Sequence, residues 1–214
     1  MYEQTINNNQ QYLPAVLRAF AISLGIAFIG TLTGQFIPPV LFIPLVVLEL
    51  VMLLGAFFLR RRKAISYPFL YVFTFISGIT TYPIVSYYVS TVGGNVVLMA
   101  LGTTTTVFAG LAVYASTTKR DLSFLGGILM AALLALIAIS IFQLFFPVST
   151  NGMLAYSFIG VLVFSGYVLY DINRIKKHGL TAEEVPLMAL NLYLDFVNLF
   201  ISILRILGIL SSRD

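Results

Sequence analysis

The sequence predicts an all-α integral membrane protein with seven transmembrane helices. Hydrophobic residues make up 59% of its 214 positions, whereas charged residues make up only 9%. A soluble domain carries about 25% charged residues because its surface must face water, so most of this surface must face lipid. Apolar stretches of about 20 residues, the length that a spanning helix needs, fill most of the chain. We therefore interpret residues 1–214 as a single seven-helix transmembrane domain with a short polar segment at 1–13.

Prolines, glycine pairs and charge clusters separate the apolar stretches, as expected where helices leave the hydrocarbon. The first stretch is too long for the hydrophobic region of a cleaved signal peptide, so it is interpreted as the first span. The seventh stretch carries two charges, which leaves a re-entrant segment as its alternative. In chain order, the predicted spans cover residues 14–35, 39–59, 66–90, 94–116, 122–146, 152–174 and 187–210.

The basic residues of the predicted loops lie after the second, fourth and sixth spans, while the loops near 36–38, 91–93 and 147–151 contain no Lys or Arg. The positive-inside rule then predicts that the N-terminus lies in the cytosol and, after seven spans, the C-terminus outside. The net charge of +4 therefore indicates membrane topology rather than nucleic-acid binding. The clustered basic residues are Arg60, Arg61, Arg62, Lys63, Lys119, Arg120, Lys176 and Lys177.

Four ionisable residues lie well inside the predicted spans: Glu49, Asp171, Asp195 and Arg205. Such residues are costly in hydrocarbon, and they usually face the interior of a helix bundle and mark an ion path or a proton site. Glu49 lies near mid-span and Arg205 toward the outer side of the last span, so a buried ion pair could cancel both charges. Arg18, near the start of the first span, only needs to extend its head group to the interface.

The last span carries a single polar stripe. Its members recur at spacings of 4, 3, 4 and 3 residues, which places them within about 40° of one line along a helix. Such a stripe must face protein or trapped water, and we expect Phe196 and Leu199 to be more accessible than the stripe. A hydrogen-bonded packing seam is the alternative, although a seam explains Asn and Ser better than Asp and Arg. The stripe consists of Asn191, Asp195, Asn198, Ser202 and Arg205.

Asp171 and Asp195 are predicted to meet near the cytosolic interface. Asp195 lies about 12 Å inside the last span, and Asp171 lies within about 5–8 Å of the same interface on the preceding helix. Two adjacent buried carboxylates resist double ionisation, so the pair should share a proton and titrate as one unit, which makes it a pH sensor. Arg60, at the same level on the second span, is its candidate gate partner. The alternatives are two unrelated carboxylates at helix ends and an Arg60 that only marks topology.

Two segments carry a resemblance to a known family. Leu169-Tyr170-Asp171-Ile172 and residues 189–207 (ALNLYLDFVNLFISILRIL) resemble the Bax inhibitor family, also called the transmembrane Bax inhibitor motif family. The resemblance implies a last helix surrounded by the other six and a pH-sensitive calcium leak, with Asp171 and Asp195 matching the family's di-aspartyl sensor. The short N-terminus and the absence of Cys are more similar to bacterial members, which implies a multi-pass protein of the bacterial cell membrane.

The leading hypothesis is a passive, non-enzymatic calcium leak without a bound cofactor. Its predicted partners are calcium ions, protons and the lipid bilayer, with no nucleic acid; the sequence identifies no protein partner. Asp171 and Asp195 would bind calcium weakly and transiently, because carboxylates suit a hard cation and an ion held tightly does not leave. The absence of Cys excludes disulfides, thiolate metal sites and cysteine nucleophiles.

Three alternatives remain. A protonatable pair would also serve a proton-coupled cation exchanger. An intramembrane aspartyl protease would use two Asp residues on consecutive helices, but such proteases carry Gly-x-Gly where this chain has Leu192-Tyr193-Leu194, and they have more spans. A membrane scaffold that regulates a partner is the third alternative.

Overall fold

The structure, a computed structural model, describes residues 12–59 and 65–212, and of 57–59 the backbone only. In this part of the chain, seven helices are long and apolar enough to cross a membrane, which confirms the predicted fold class. Two short 3-10 turns, Pro39–Leu41 and Ala182–Glu184, precede the second and the last helix. The helices are α1 (Tyr12–Gly34), α2 (Phe42–Leu59), α3 (Tyr67–Val92), α4 (Gly94–Thr117), α5 (Leu125–Gln143), α6 (Thr150–His178) and α7 (Val185–Ser211).

The predicted spans match these helices closely, with two informative differences. α5 begins and ends three residues inside the predicted 122–146, because turns at both ends replace helical hydrogen bonds. α6 continues past the predicted end at 174 to His178, where Gly179 takes a positive φ of 69°. A left-handed residue of this kind commonly ends a helix, and glycine adopts it without strain.

α7 is one continuous helix of 27 residues, about 40 Å long at 1.5 Å per residue. That length crosses a hydrocarbon core of about 30 Å, so the re-entrant alternative is wrong. Its start is well defined in the sequence. The Thr181 backbone N–H and hydroxyl both donate to Glu184 Oε2, at 2.9 and 3.0 Å, and Pro186 occupies the first turn, where proline is tolerated.

The described residues divide into two compact units. The first contains the described part of Met1–Tyr87 together with His178–Tyr193, and the second contains Tyr88–Lys177 with the described part of Leu194–Asp214. Within the first unit, α1 and α3 approach closely through glycines. Gly30 lies against the Phe75 carbonyl oxygen and Gly78 against the Ala27 carbonyl, the contact that small residues allow between helices in lipid.

Within the second unit, the loop between α4 and α5 is bound to the end of α6. The Asn173 side chain accepts a hydrogen bond from the Leu122 backbone N–H at 3.0 Å and donates one to the Arg120 carbonyl at 3.1 Å. Lys176 Nζ donates to the Thr118 carbonyl at 3.1 Å, and Lys177 Nζ donates to the Lys119 carbonyl at 3.0 Å. Two of the basic clusters found in the sequence therefore lie together at one end of this unit.

α7 has the largest buried share of any span: half of its most apolar 18-residue stretch, compared with 6% to 33% for the other six. Phe196 and Leu199, at 7% and 0% exposed, are at least as buried as the polar stripe, of which Asn191, Asn198 and Arg205 are only partly buried. The expected contrast in accessibility was wrong, because α7 is packed on its apolar side as well. Phe108 of α4, for example, meets Phe196 with ring centroids 5.5 Å apart. That the last helix is surrounded by the other six stays a prediction.

Candidate functional site

The structure brings Asp171 of α6 and Asp195 of α7 together in the second unit. Asp171 is 5% exposed and Asp195 is 6% exposed. The carboxylates are close enough for the charge of Asp171 to act directly on Asp195. Two acids that share one buried site resist double ionisation, because each loses its water and repels the other. We refer to Asp171 and Asp195 as the aspartate pair.

The pair meets because α6 and α7 are consecutive helices joined by a short turn. Asp171 lies seven residues before the end of α6 at His178, about 10 Å along the axis. Asp195 lies ten residues after the start of α7 at Val185, about 15 Å along the axis. The similar depths reproduce the reasoning from the sequence, although both residues lie deeper from their helix ends than predicted.

Tyr167 joins the aspartate pair as a third polar group that the sequence reasoning missed. It lies one turn before Asp171 on α6, and the charges of both aspartates act on it. Its hydroxyl oxygen and Asp195 Oδ2 are buried atoms without a hydrogen-bond partner among the described residues. Tyr167 and Asp171 are spaced i, i+4, which puts both on one helix face. This spacing was the sequence signal that could have added Tyr167 to the site.

Beyond Asp195, the polar stripe of α7 continues along α6. Asn198 Nδ2 donates to the Leu194 carbonyl at 2.8 Å, and Ser202 Oγ donates to the Asn198 carbonyl at 2.7 Å. Gly160 of α6 lies against Ser202 Oγ, so a side chain at position 160 would displace the hydroxyl. These polar groups are satisfied within α7 itself, as in a packing seam.

Arg205, at the far end of the stripe, lies over an aromatic ring. Its guanidinium carbon is 5.9 Å from the centroid of Tyr156 on α6, within the range of a cation–π interaction. The Tyr156 hydroxyl in turn forms a hydrogen bond of 2.7 Å with Ser140 Oγ of α5.

The other predicted site residues lie outside this group. Glu49 belongs to the first unit, where the Thr80 hydroxyl donates to its Oε2 at 2.5 Å. Asn191 is partly buried in the same unit. The ion pair between Glu49 and Arg205 stays a prediction. Arg60 falls outside the described residues, so its role as gate partner stays a prediction as well.

The described residues supply few oxygen ligands for a metal ion. Over the described ranges, no group of three or more His, Asp or Glu side chains could hold a metal ion, and the chain contains no Cys. A dedicated calcium site supplies six to eight oxygen ligands. The aspartate pair and the Tyr167 phenol provide far fewer, so they do not form a dedicated calcium site.

The fold and the site define a multi-pass α-helical membrane protein with a buried acidic pair on its last two helices. The chain belongs to the Bax inhibitor family. The family model described as "Inhibitor of apoptosis-promoting Bax1" matches residues 9–212, nearly the whole chain, which confirms the resemblance found in the sequence.

Relatives of this chain occur in bacteria and eukaryotes. An uncharacterized protein of Campylobacter jejuni is 35% identical, over 94% of this chain and 90% of its own length. The protein named modulator of FtsH protease YccA in Escherichia coli is 33% identical, over 91% of this chain and 89% of its own. Bax inhibitor 1 of Schizosaccharomyces pombe is 35% identical, over 78% of this chain and 61% of its own.

Proposed function

We propose that this protein is a passive, pH-sensitive calcium leak whose gate is the aspartate pair. The observation that carries the proposal is the burial of Asp195 beside Asp171, with one carboxylate oxygen that has no hydrogen-bond partner among the described residues. A buried carboxylate oxygen without a partner is costly, and a proton or a cation relieves that cost. The pair therefore responds to both of the ions that the proposal involves.

The gate works through the force between α6 and α7. With one shared proton, the two carboxyl groups can hydrogen-bond to each other and hold the helices together. When both are ionised, repulsion in a poorly solvated site drives the helices apart while the double negative charge attracts a divalent cation. The pair thus titrates as one unit, and which protonation state conducts is read from the measured pH profile.

Weak binding suits conduction. A leak needs an ion to enter the site and leave it again, so a site with few oxygen ligands serves better than a complete calcium cage. Calcium is the transported ion here, and no bound cofactor takes part. In the same proposal Arg60 stabilises the ionised pair, while Glu49 and Arg205 line the ion path or form a buried ion pair.

We place the protein in a bacterial cell membrane, with the N-terminus in the cytosol and the C-terminus outside. The hydrogen bonds from Lys176 and Lys177 to the 118–119 carbonyls support this orientation, because they gather two basic clusters at one end. One relative is named Bax inhibitor 1 and another modulator of FtsH protease YccA. These names support a non-enzymatic role. Those names describe regulation of other proteins, which a membrane leak can accompany.

Ion flux into liposomes that contain only this protein tests the proposal. We expect calcium to enter down its own gradient without a proton gradient, with a rate that varies over a series of symmetric pH values. Protein-free liposomes provide the control, and magnesium, sodium and potassium test selectivity. Calcium entry that requires an opposing proton gradient would replace the leak by a proton-coupled exchanger.

A further inference from the structure

The buried site holds an unpaired donor and an unpaired acceptor at once. The Tyr167 phenol is a hydrogen-bond donor, and Asp195 Oδ2 is an acceptor. Neither has a partner among the described residues. Orphaned polar atoms are rare in folded proteins, and each calls for an explanation such as strain, a functional role or a bound water or ion. Two such atoms of opposite type in one site point to a hydrogen bond that forms in another protonation state.

The groups around Tyr167 restrict what its hydroxyl can bind. Gly160 of α6 lies against Ser202 Oγ of α7, and Arg205 of α7 lies over the Tyr156 ring. These two contacts set an antiparallel register of α6 and α7 in which Tyr167 lies opposite Asp195. α6 itself adds Asp171, one turn further on, and Tyr170. On the remaining side the Tyr167 ring packs against a cluster that includes Leu129 and Leu136 of α5. α5 contains no titratable residue at all. Among the described residues, the titratable groups that act on the phenol are therefore the two aspartates and the Tyr170 phenol.

We propose that Tyr167 is a positioning residue of the gate: its phenol donates a hydrogen bond to the Asp195 carboxylate when the aspartate pair loses its shared proton. This inference rests on the proposed function and identifies the third member of the titrating unit. A hydrogen bond from a hydroxyl to a carboxylate is about twice as strong as one between neutral groups. The phenol replaces the hydrogen bond that Asp195 gives up when the shared proton leaves, so it lowers the cost of ionising the pair.

Replacing Tyr167 by Phe tests the proposal because it removes the hydroxyl and keeps the ring against α5. We expect the midpoint of the flux–pH curve to move to higher pH by about 1 unit, since a hydrogen bond to a charged group has that magnitude. The direction holds whichever state conducts, because the ionised pair loses support. Tyr114→Phe is the matched control, since Tyr114 lies on α4 with 48% of its surface exposed, and its midpoint should equal that of the wild type.

Two further variants separate this inference from the proposed function. A 3-fluorotyrosine at position 167 has a more acidic phenol and keeps the fold, so its midpoint should move to lower pH. The double variant Tyr167→Phe, Asp195→Asn should follow the curve of Asp195→Asn alone, because the acceptor is gone.

Two results would overturn the inference in different ways. If Tyr167→Phe and 3-fluorotyrosine both kept the wild-type midpoint while Asp195→Asn abolished the pH response, Tyr167 would be a packing residue and the leak would stand. If Asp195→Asn itself kept the wild-type curve, the proposed function would fail and the role of Tyr167 with it.

Discussion

Two carboxylates inside spans, Glu49 in the first unit and Asp195 in the second, differ in how their oxygens are satisfied. Glu49 is partly exposed and accepts a hydrogen bond of 2.5 Å from the Thr80 hydroxyl. Asp195 is 6% exposed, has a second acid beside it, and keeps one oxygen without a partner among the described residues. A satisfied group adds little cost, whereas an unsatisfied buried one carries its full desolvation penalty. For the proposed function, the comparison makes the second unit the expected source of the pH response.

The largest expected effect comes from neutralising either member of the aspartate pair. Asp171→Asn or Asp195→Asn keeps the shape of the side chain but cannot ionise, so either variant should abolish most of the pH dependence of calcium flux. The double variant should resemble either single variant, because the coupling is lost once one partner is neutral. The measurement is flux into liposomes over the same pH series, with circular dichroism to verify the helical fold.

If both single variants kept the wild-type flux–pH curve, Asp195 would matter no more for the pH response than Glu49. The aspartate pair would then be a structural contact, and the pH response, if present, would have to come from another group.

A smaller effect is expected from Arg60, which lies outside the described residues. A nearby cation favours the ionised state of a carboxylate, so Arg60→Gln should move the midpoint of the flux–pH curve to higher pH by about 0.5–1 unit. Arg61→Gln and Arg62→Gln are matched controls with the same change in net charge, and they should shift it less. Equal shifts from all three variants would reduce the effect to the general surface potential.

The sequence predicted the seven spans because lipid leaves the chain few alternatives. Backbone groups in hydrocarbon must be bonded within helices, so apolar length and breakers suffice to locate each span. The meeting of Asp171 and Asp195 was predictable for a related reason: a short turn between consecutive helices equalises their depth. The part of Tyr167 was not, because tyrosine occurs on many spans and only the packing of the second unit brings this one under the charges of both aspartates. The burial of Phe196 and Leu199 was missed because a polar stripe shows which face of a helix avoids lipid. It does not show how much of the apolar face is covered by other helices.

Asn173 provides a contrast within the second unit, because it is buried two residues after Asp171 and both its amide oxygen and its amide nitrogen form hydrogen bonds. Its side chain holds the Leu122 N–H and the Arg120 carbonyl. Asn173→Ala would leave these groups unpaired and should lower the free energy of unfolding by about 1–3 kcal/mol. The midpoint of the flux–pH curve should stay near the wild-type value. Thermal unfolding in detergent and the flux series measure the two effects, and a lower stability with an unchanged midpoint would show that satisfied polar groups here serve structure.

The smallest effect on the pH response is expected at Glu49. In Glu49→Gln the amide oxygen can still accept the Thr80 hydrogen bond, so the fold should be retained and the midpoint should move by less than about 0.3 pH unit, a difference of about 0.4 kcal/mol. The amplitude of the flux gives separate information, because loss of a negative charge from an ion path lowers calcium entry at every pH by a similar factor. Thr80→Val is the matched control, since it removes the hydrogen bond but keeps the charge of Glu49. If Glu49→Gln flattened the pH response as much as Asp195→Asn does, the two carboxylates would act as one system. The contrast between a hydrogen-bonded Glu49 and an unsatisfied Asp195 would then not explain the gate.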